Sequence, residues 1–150
     1  MITENELGAL VGHRFPGGHY RIAHWENWLL TDCTGRAPMP DDLAHPIVLF
    51  HAPILGAGSS IAELFNLGQA SGPGSVGLES YDWEYFTALR ENVDYRVDGS
   101  IIEAQRSISD SGTVVDRLAF QIEMYDGEML AARVTNRWKF RRDVLDEETQ

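Results

Sequence analysis

Between Thr34 and His51 the chain reads TGRAPMPDDLAHPIVLFH, which gathers three prolines, the acid pair Asp41 and Asp42, and the imidazoles His45 and His51. Carboxylates and imidazoles are the side chains that most readily exchange protons near neutral pH, so candidate acids and bases concentrate here. The candidates for catalysis are His51, His45 and Asp32, the last standing just ahead of the stretch. Each also has a plainer role. The histidines can bond loop carbonyls and fix the path of the chain, Asp41 and Asp42 can be solvated loop residues, and Asp32 can simply end a helix. No Asp or His pair here has a spacing such as H-E-x-x-H, so no metal centre is expected.

Several elements must position these groups. Thr3 or Asn5 can cap a short helix over residues 3–12, and the turn chemistry of GHRFPGGHYRI leads into an extended piece ending near Ile22. In HWENWLLTDC the apolar Trp25, Trp28, Leu29 and Cys33 fall at helical spacing, which predicts a helix that buries them and stops at Gly35. Pro53 suits the first turn of a further helix over 53–67, with Ile54, Ala57, Ile61, Leu64 and Phe65 on one side and Gly68 past its end. Small residues from Gly56 to Ser60 crowd its first half, which permits close approach of another backbone or of a ligand and makes Gly56 a candidate substrate contact.

Beyond the Gly-Pro-Gly linker at 72–74 the pattern alternates. Tyr81, Trp83 and Tyr85 share one parity, as core or interface residues would. Extended runs follow over 93–109, 113–125 and 128–142, divided by Ser111-Gly112 and Asp126-Gly127, pairs that suit tight antiparallel turns. In the middle run Val114, Leu118, Phe120, Ile122 and Met124 lie on one face with Asp116. Thirteen residues reach about 43 Å, long enough for a sheet that curls round a helix. In the last run Arg133, Arg137, Lys139 and Arg141 face away from Val134, Trp138 and Phe140, a solvated face that the acidic tail over 143–150 can neutralise, or a contact for phosphate or an acidic carrier protein.

The formal net charge of −11 opposes phosphate backbones, so nucleic acid is not an expected partner. One cysteine among 150 residues excludes an internal disulfide and suits a reducing compartment. The acidic N-terminal segment lacks the features of a signal peptide, and no apolar run approaches the roughly 18 residues that span a bilayer. The expectation is one cytoplasmic domain over 1–150, with no membrane contact.

Four segments, in order, resemble the MaoC-like dehydratase and (R)-specific enoyl-CoA hydratase family: LVGHRFPGGHYRI, HPIVLFHAPILGAG, WEYFTALRENVDYRV and FQIEMYDGEMLAARVTNRWKFRR. The resemblance implies an α+β hot-dog fold, in which a curved antiparallel sheet wraps a long central helix. It also implies an acyl-thioester substrate carried by coenzyme A or an acyl carrier, no further cofactor, and work as a dimer. The family's catalytic loop has the form G-D-x-N-P-x-H. With Gly35 and Pro38 on its Gly and Pro, Arg36 stands in place of its Asp and Pro40 in place of its His, and neither can exchange a proton at neutral pH. By this alignment the standard dyad is absent, and His51, His45 and Asp32 are the substitutes.

His51-Ala52 corresponds to the family's His-Gly, whose Gly amide helps bind the thioester carbonyl, so Ala52 is a candidate substrate contact through its N–H. The turn at Arg90 and Asp94 resembles the family's P-L-R-x-G-D, and the two side chains are expected to pair there. Two functions follow. One is a hydratase or dehydratase, working as a homodimer or beside a dyad-bearing hot-dog subunit. The other is a non-catalytic thioester-binding or assembly subunit, or a hot-dog domain turned to other chemistry on a biosynthetic intermediate.

Overall fold

In the computed structural model, which describes residues 1–142, five antiparallel strands form one sheet in the order β1-β3-β4-β5-β2. These are β1 (Gly18–Arg21), β2 (Val76–Tyr85), β3 (Asp94–Ile108), β4 (Val114–Asp126) and β5 (Met129–Arg142). The three predicted runs coincide with β3, β4 and β5 to within a residue or so, because alternation along them is strong. The turns also form as expected, with Gly112 at φ 80° and Gly127 at φ 59° supplying the left-handed backbone. The acidic tail, 143–150, lies outside the described residues.

Before the sheet's long strands come α1 (Glu4–Ala9), α2 (His24–Cys33), a 3-10 helix (Pro46–Phe50), α3 (Ala52–Gly56) and α4 (Ile61–Leu67). Thr3 caps α1 through a reciprocal pair with Glu6, one of the two caps expected. The single helix expected over 53–67 is interrupted. Gly58 adopts φ +75° after α3, and the Ser60 hydroxyl accepts the Glu63 amide to start α4 afresh. The crowding of small residues thus produces a break in the central helix, whose two halves still cover the sheet.

One face of the sheet meets these helices. Trp138, Phe120, Phe140, Ile122 and Met124 are fully buried there, each aromatic ring or aliphatic chain worth roughly 1.5–3 kcal/mol of burial. Phe120 and Trp138 meet edge to face at 5.1 Å, and Phe65 of α4 meets Trp138 at 5.6 Å. Asp116 shares this inner face at 0 % exposure, held by Arg106 (2.7 Å) and by Arg142 (2.7 Å), which is itself buried.

Two side-chain expectations need correction. In α2 the apolar residues face out, with Trp25 at 67 %, Trp28 at 49 % and Leu29 at 47 % exposure, while Glu26, Asn27 and Thr31 are buried. The polar side is inward because it finds partners from distant segments. Arg90 does not pair with Asp94: its Nη1 donates to the Asp41 carbonyl at 2.6 Å, and Asp94 meets His19 at 3.3 Å. Two outward basic residues of β5 are paired within the sheet, Arg133 with Glu84 and Glu123, and Arg137 with Asp82.

Candidate functional site

Three protonatable side chains meet where β1, α2 and the start of α3 converge. Tyr20, on β1, points its hydroxyl at Glu26 in the first turn of α2, donating to Oε1 at 2.5 Å. His51, the residue before α3, brings Nε2 to the same Oε1 at 2.6 Å. The Ala23 amide donates to Oε2 at 3.3 Å, which ties the carboxyl group to the start of its own helix. Glu26 is nearly buried, its side chain 11 % exposed, whereas that of His51 is 31 % exposed and open to a ligand.

The bonding fixes roles. With Glu26 as a carboxylate accepting from Tyr20 and from His51 Nε2–H, the imidazole lone pair lies on Nδ1. Burial, reinforced by the Glu26 carboxylate, pushes the Tyr20 hydroxyl far above its ordinary value, so it remains a donor at neutral pH. The arrangement is an imidazole oriented by a carboxylate, which is the pairing that general base chemistry uses.

Position in the fold sets this geometry. Gly56 of α3 packs so closely on the sheet that an added Cβ would stand 2.7 Å from Val97 Cγ2 and 3.0 Å from Tyr20 Cβ. That contact holds α3 against β1 and so brings His51 and Tyr20 to the same carboxyl group.

A second network sits behind the first. Asn27 donates to the Glu91 carboxylate at 2.7 Å and to the Leu43 carbonyl at 3.0 Å, and its Oδ1 accepts the His45 amide at 2.8 Å. His24 Nδ1 meets Glu91 at 2.9 Å. Burial raises the Glu91 pKa, but the bonds from Asn27 and His24 outweigh it and hold the carboxyl below its usual value. This network pins the loop ahead of the 3-10 helix.

Of the sequence candidates, His51 is the one brought to a protonatable partner. His45 caps the 3-10 helix, its Nδ1 accepting the Ile47 amide at 3.1 Å, which is the loop-fixing role. Asp32 is exposed near the end of α2, about 9 Å along the helix from Glu26, and makes no side-chain hydrogen bond among the described residues. Ala52, at 0 % exposure, and Gly56 are both buried at α3.

Sequence reasoning missed Glu26 and Tyr20. The available signal was a carboxylate in the first turn of a helix, but the apolar spacing of Trp25, Trp28 and Leu29 pointed to another side as the buried one. Among the described residues no group of three or more His, Cys, Asp or Glu is arranged to hold a metal ion. No helix among them is long and apolar enough to cross a membrane.

No protein-family model and no curated protein matches the sequence. Solved structures do match. The chain is similar to a chain of the ChsH1-ChsH2 complex from Mycobacterium tuberculosis, with a TM-score of 0.70 at 11% identity over 95% of this chain and 93% of that one. It is similar to the monoamine oxidase regulatory protein from Archaeoglobus (TM-score 0.59, 11% identity, 89% and 92% covered). A probable thioesterase from Bartonella henselae aligns with a TM-score of 0.53 at 10% identity over 87% and 90%. Sequence identity this low carries the architecture and no further, and the architecture is the hot-dog fold.

Proposed function

We propose that this chain acts on acyl thioesters, adding water to an enoyl thioester or removing it from a 3-hydroxyacyl thioester, with His51 as the proton-transferring group. The observation that carries the reading is the 2.6 Å contact between His51 Nε2 and Glu26 within a hot-dog fold. In the hydration direction Nδ1 takes a proton from water as the hydroxide adds at Cβ. The imidazolium then returns that proton to Cα, so the double bond gains one water. Glu26 stabilises the imidazolium and Tyr20 holds Glu26 in place. These transfers call for no resident cofactor.

The chain is proposed to work as one half of a hot-dog pair, with a second copy or a related subunit. Support comes from the solved structure of a ChsH1-ChsH2 complex, whose chain shares this fold. Because the chain has its own imidazole-carboxylate pair, it does not need the partner to bring one. An intracellular location is part of the same proposal, since such thioesters are made and used inside cells.

A second reading is thioester hydrolysis, favoured by the fold shared with the Bartonella thioesterase. The same imidazole would direct water to the thioester carbonyl instead of Cβ. Assaying the protein with a panel of enoyl and 3-hydroxyacyl thioesters separates the two. Loss of enoyl absorbance without thiol release supports hydration, and thiol release supports hydrolysis. Absence of both, with the partner supplied, leaves the non-catalytic subunit and removes His51 from any reaction.

A further inference from the structure

The loop from Arg36 to Pro46 borders an open surface cleft whose lining does not include His51. One arm, about 620 Å³, is lined by Arg36, Ala37, Met39, His45 and Pro46. A second arm, about 320 Å³, shares Met39 and Pro46 and continues past Leu43, Tyr85, Phe86 and Leu89. Both fall in the size range of small-molecule sites.

The walls are built in advance. Asp41 and Asp42 both hold positive φ, 58° and 55°, a costly backbone for two consecutive residues with side chains. They are kept there from outside the loop. Arg90 bonds the Asp41 carbonyl, the Glu91 amide bonds the Asp42 carbonyl at 2.8 Å, the Ala44 amide bonds the Leu89 carbonyl at 2.8 Å, and Asn27 bonds both Leu43 and His45. The Tyr85 hydroxyl closes the frame by donating to the Pro46 carbonyl at 2.5 Å.

Charge identifies the kind of occupant. Arg36 is exposed at the cleft and makes no ion pair among the described residues, in a chain whose net charge is −11. A guanidinium beside an apolar channel suits a ligand with one anionic end and an aliphatic body. Asp41 and Asp42 lie on the same loop and oppose a second negative charge, and one guanidinium matches one carboxylate in bidentate geometry. The apolar arm suits methylene groups better than the amide-rich arm of a coenzyme.

We infer that this cleft binds an amphipathic carboxylate, its aliphatic chain along Met39, Leu43, Tyr85 and Phe86 and its carboxylate on Arg36. Such a ligand could be an acyl group bearing a distal carboxylate or a free fatty acid. Binding is measured without turnover, so the result stands apart from the His51 reaction.

Isothermal titration of the full chain with decanoate below its micelle threshold, with decanol, and with adenosine 3′,5′-bisphosphate provides the test. Decanoate is expected to bind roughly tenfold or more tightly than decanol, and Arg36→Gln to remove that advantage while decanol binding and the melting temperature stay unchanged. Ala88 also lines the apolar arm, so Ala88→Trp, which narrows it, is expected to abolish both, and Phe86→Asp serves the same purpose should that variant misfold. Equal binding of decanoate and decanol, no binding of either, or an unchanged Arg36→Gln would overturn the inference. Tighter, Arg36-dependent binding of the bisphosphate would overturn it too, in favour of a phosphate site. The monomethyl ester of decanedioic acid, which carries one carboxylate, separates the two sources: Arg36-dependent binding tighter than that of decanoate supports a carboxylate-bearing acyl group, weaker Arg36-dependent binding supports a free fatty acid, and binding that does not depend on Arg36 overturns the inference.

Discussion

Asp116 and Glu26 are both buried carboxylates, yet their surroundings give them opposite capacities. Asp116 is 0 % exposed and is shared by two guanidinium groups, Arg106 and Arg142, which never lose their protons at accessible pH. Burial opposes its charge, but the two arginines win and hold its pKa below the ordinary value. Glu26 is instead partnered by a phenol and an imidazole, one of them half in reach of solvent. A carboxylate saturated by fixed cations can only hold structure. One whose partners themselves carry transferable protons can take part in chemistry.

The sharpest way to test this contrast is to neutralise the structural member. Asp116→Asn leaves Arg142 buried with its charge uncompensated and is expected to cost about 3–5 kcal/mol, measured by denaturant unfolding. Because the folded pKa of Asp116 is depressed, its stabilisation is present above the unfolded value near 4 and is lost as pH falls through the folded value. The wild-type protein should therefore lose stability below about pH 4, and a component of that loss should be missing in the variant. Glu91, also depressed, contributes loss of the same sign.

His51→Ala should leave the fold intact by circular dichroism and reduce turnover on the order of a hundredfold or more. If turnover is unchanged, the distinction drawn between the two carboxylates has no functional content. Gly56→Ala probes the link between packing and site: the stiff Val97 side chain cannot yield easily, so about 1–3 kcal/mol of stability should be lost and Tyr20 displaced. The smallest effect is expected for Tyr20→Phe, which keeps the packing and removes one bond to Glu26. Turnover should fall by roughly tenfold or less, with the pH-rate profile shifted and the melting temperature almost unchanged.

The sheet was legible because its signals are local. Alternation from Val114 to Met124 states which side is buried, and Asp126-Gly127 states where the chain turns. The interior placement of Asp116 could be read from parity alone. The orientation of α2 could not, because Trp25, Trp28 and Leu29 carry the apolar signal while the inward position of Glu26 and Asn27 depends on Tyr20, His51, Glu91 and Leu43, all supplied by other segments. The break between α3 and α4 was written in the Gly-Ala-Gly-Ser-Ser run, but that run is equally consistent with a continuous helix in close contact. His51 was found by type and position. Its partner was not, since pairing across 25 residues is a property of the folded chain.

The Asp116 cluster also has a bearing on the order of assembly. Arg106 reaches back 104 residues to the Ile2 carbonyl, and Arg142 reaches back 73 and 74 residues to the carbonyls of Gln69 and Gly68. These clasps join the N-terminal segment, the end of α4 and the long strands, so the Arg106 clasp is completed by Asp116 only once β3 and β4 are paired, and the Arg142 clasp only once β4 and β5 are paired. Loop closure over such spans is slow compared with hairpin formation. The hairpins of the sheet are therefore expected to assemble first, with the helical layer fastened afterwards by two arginines that arrive late in the chain.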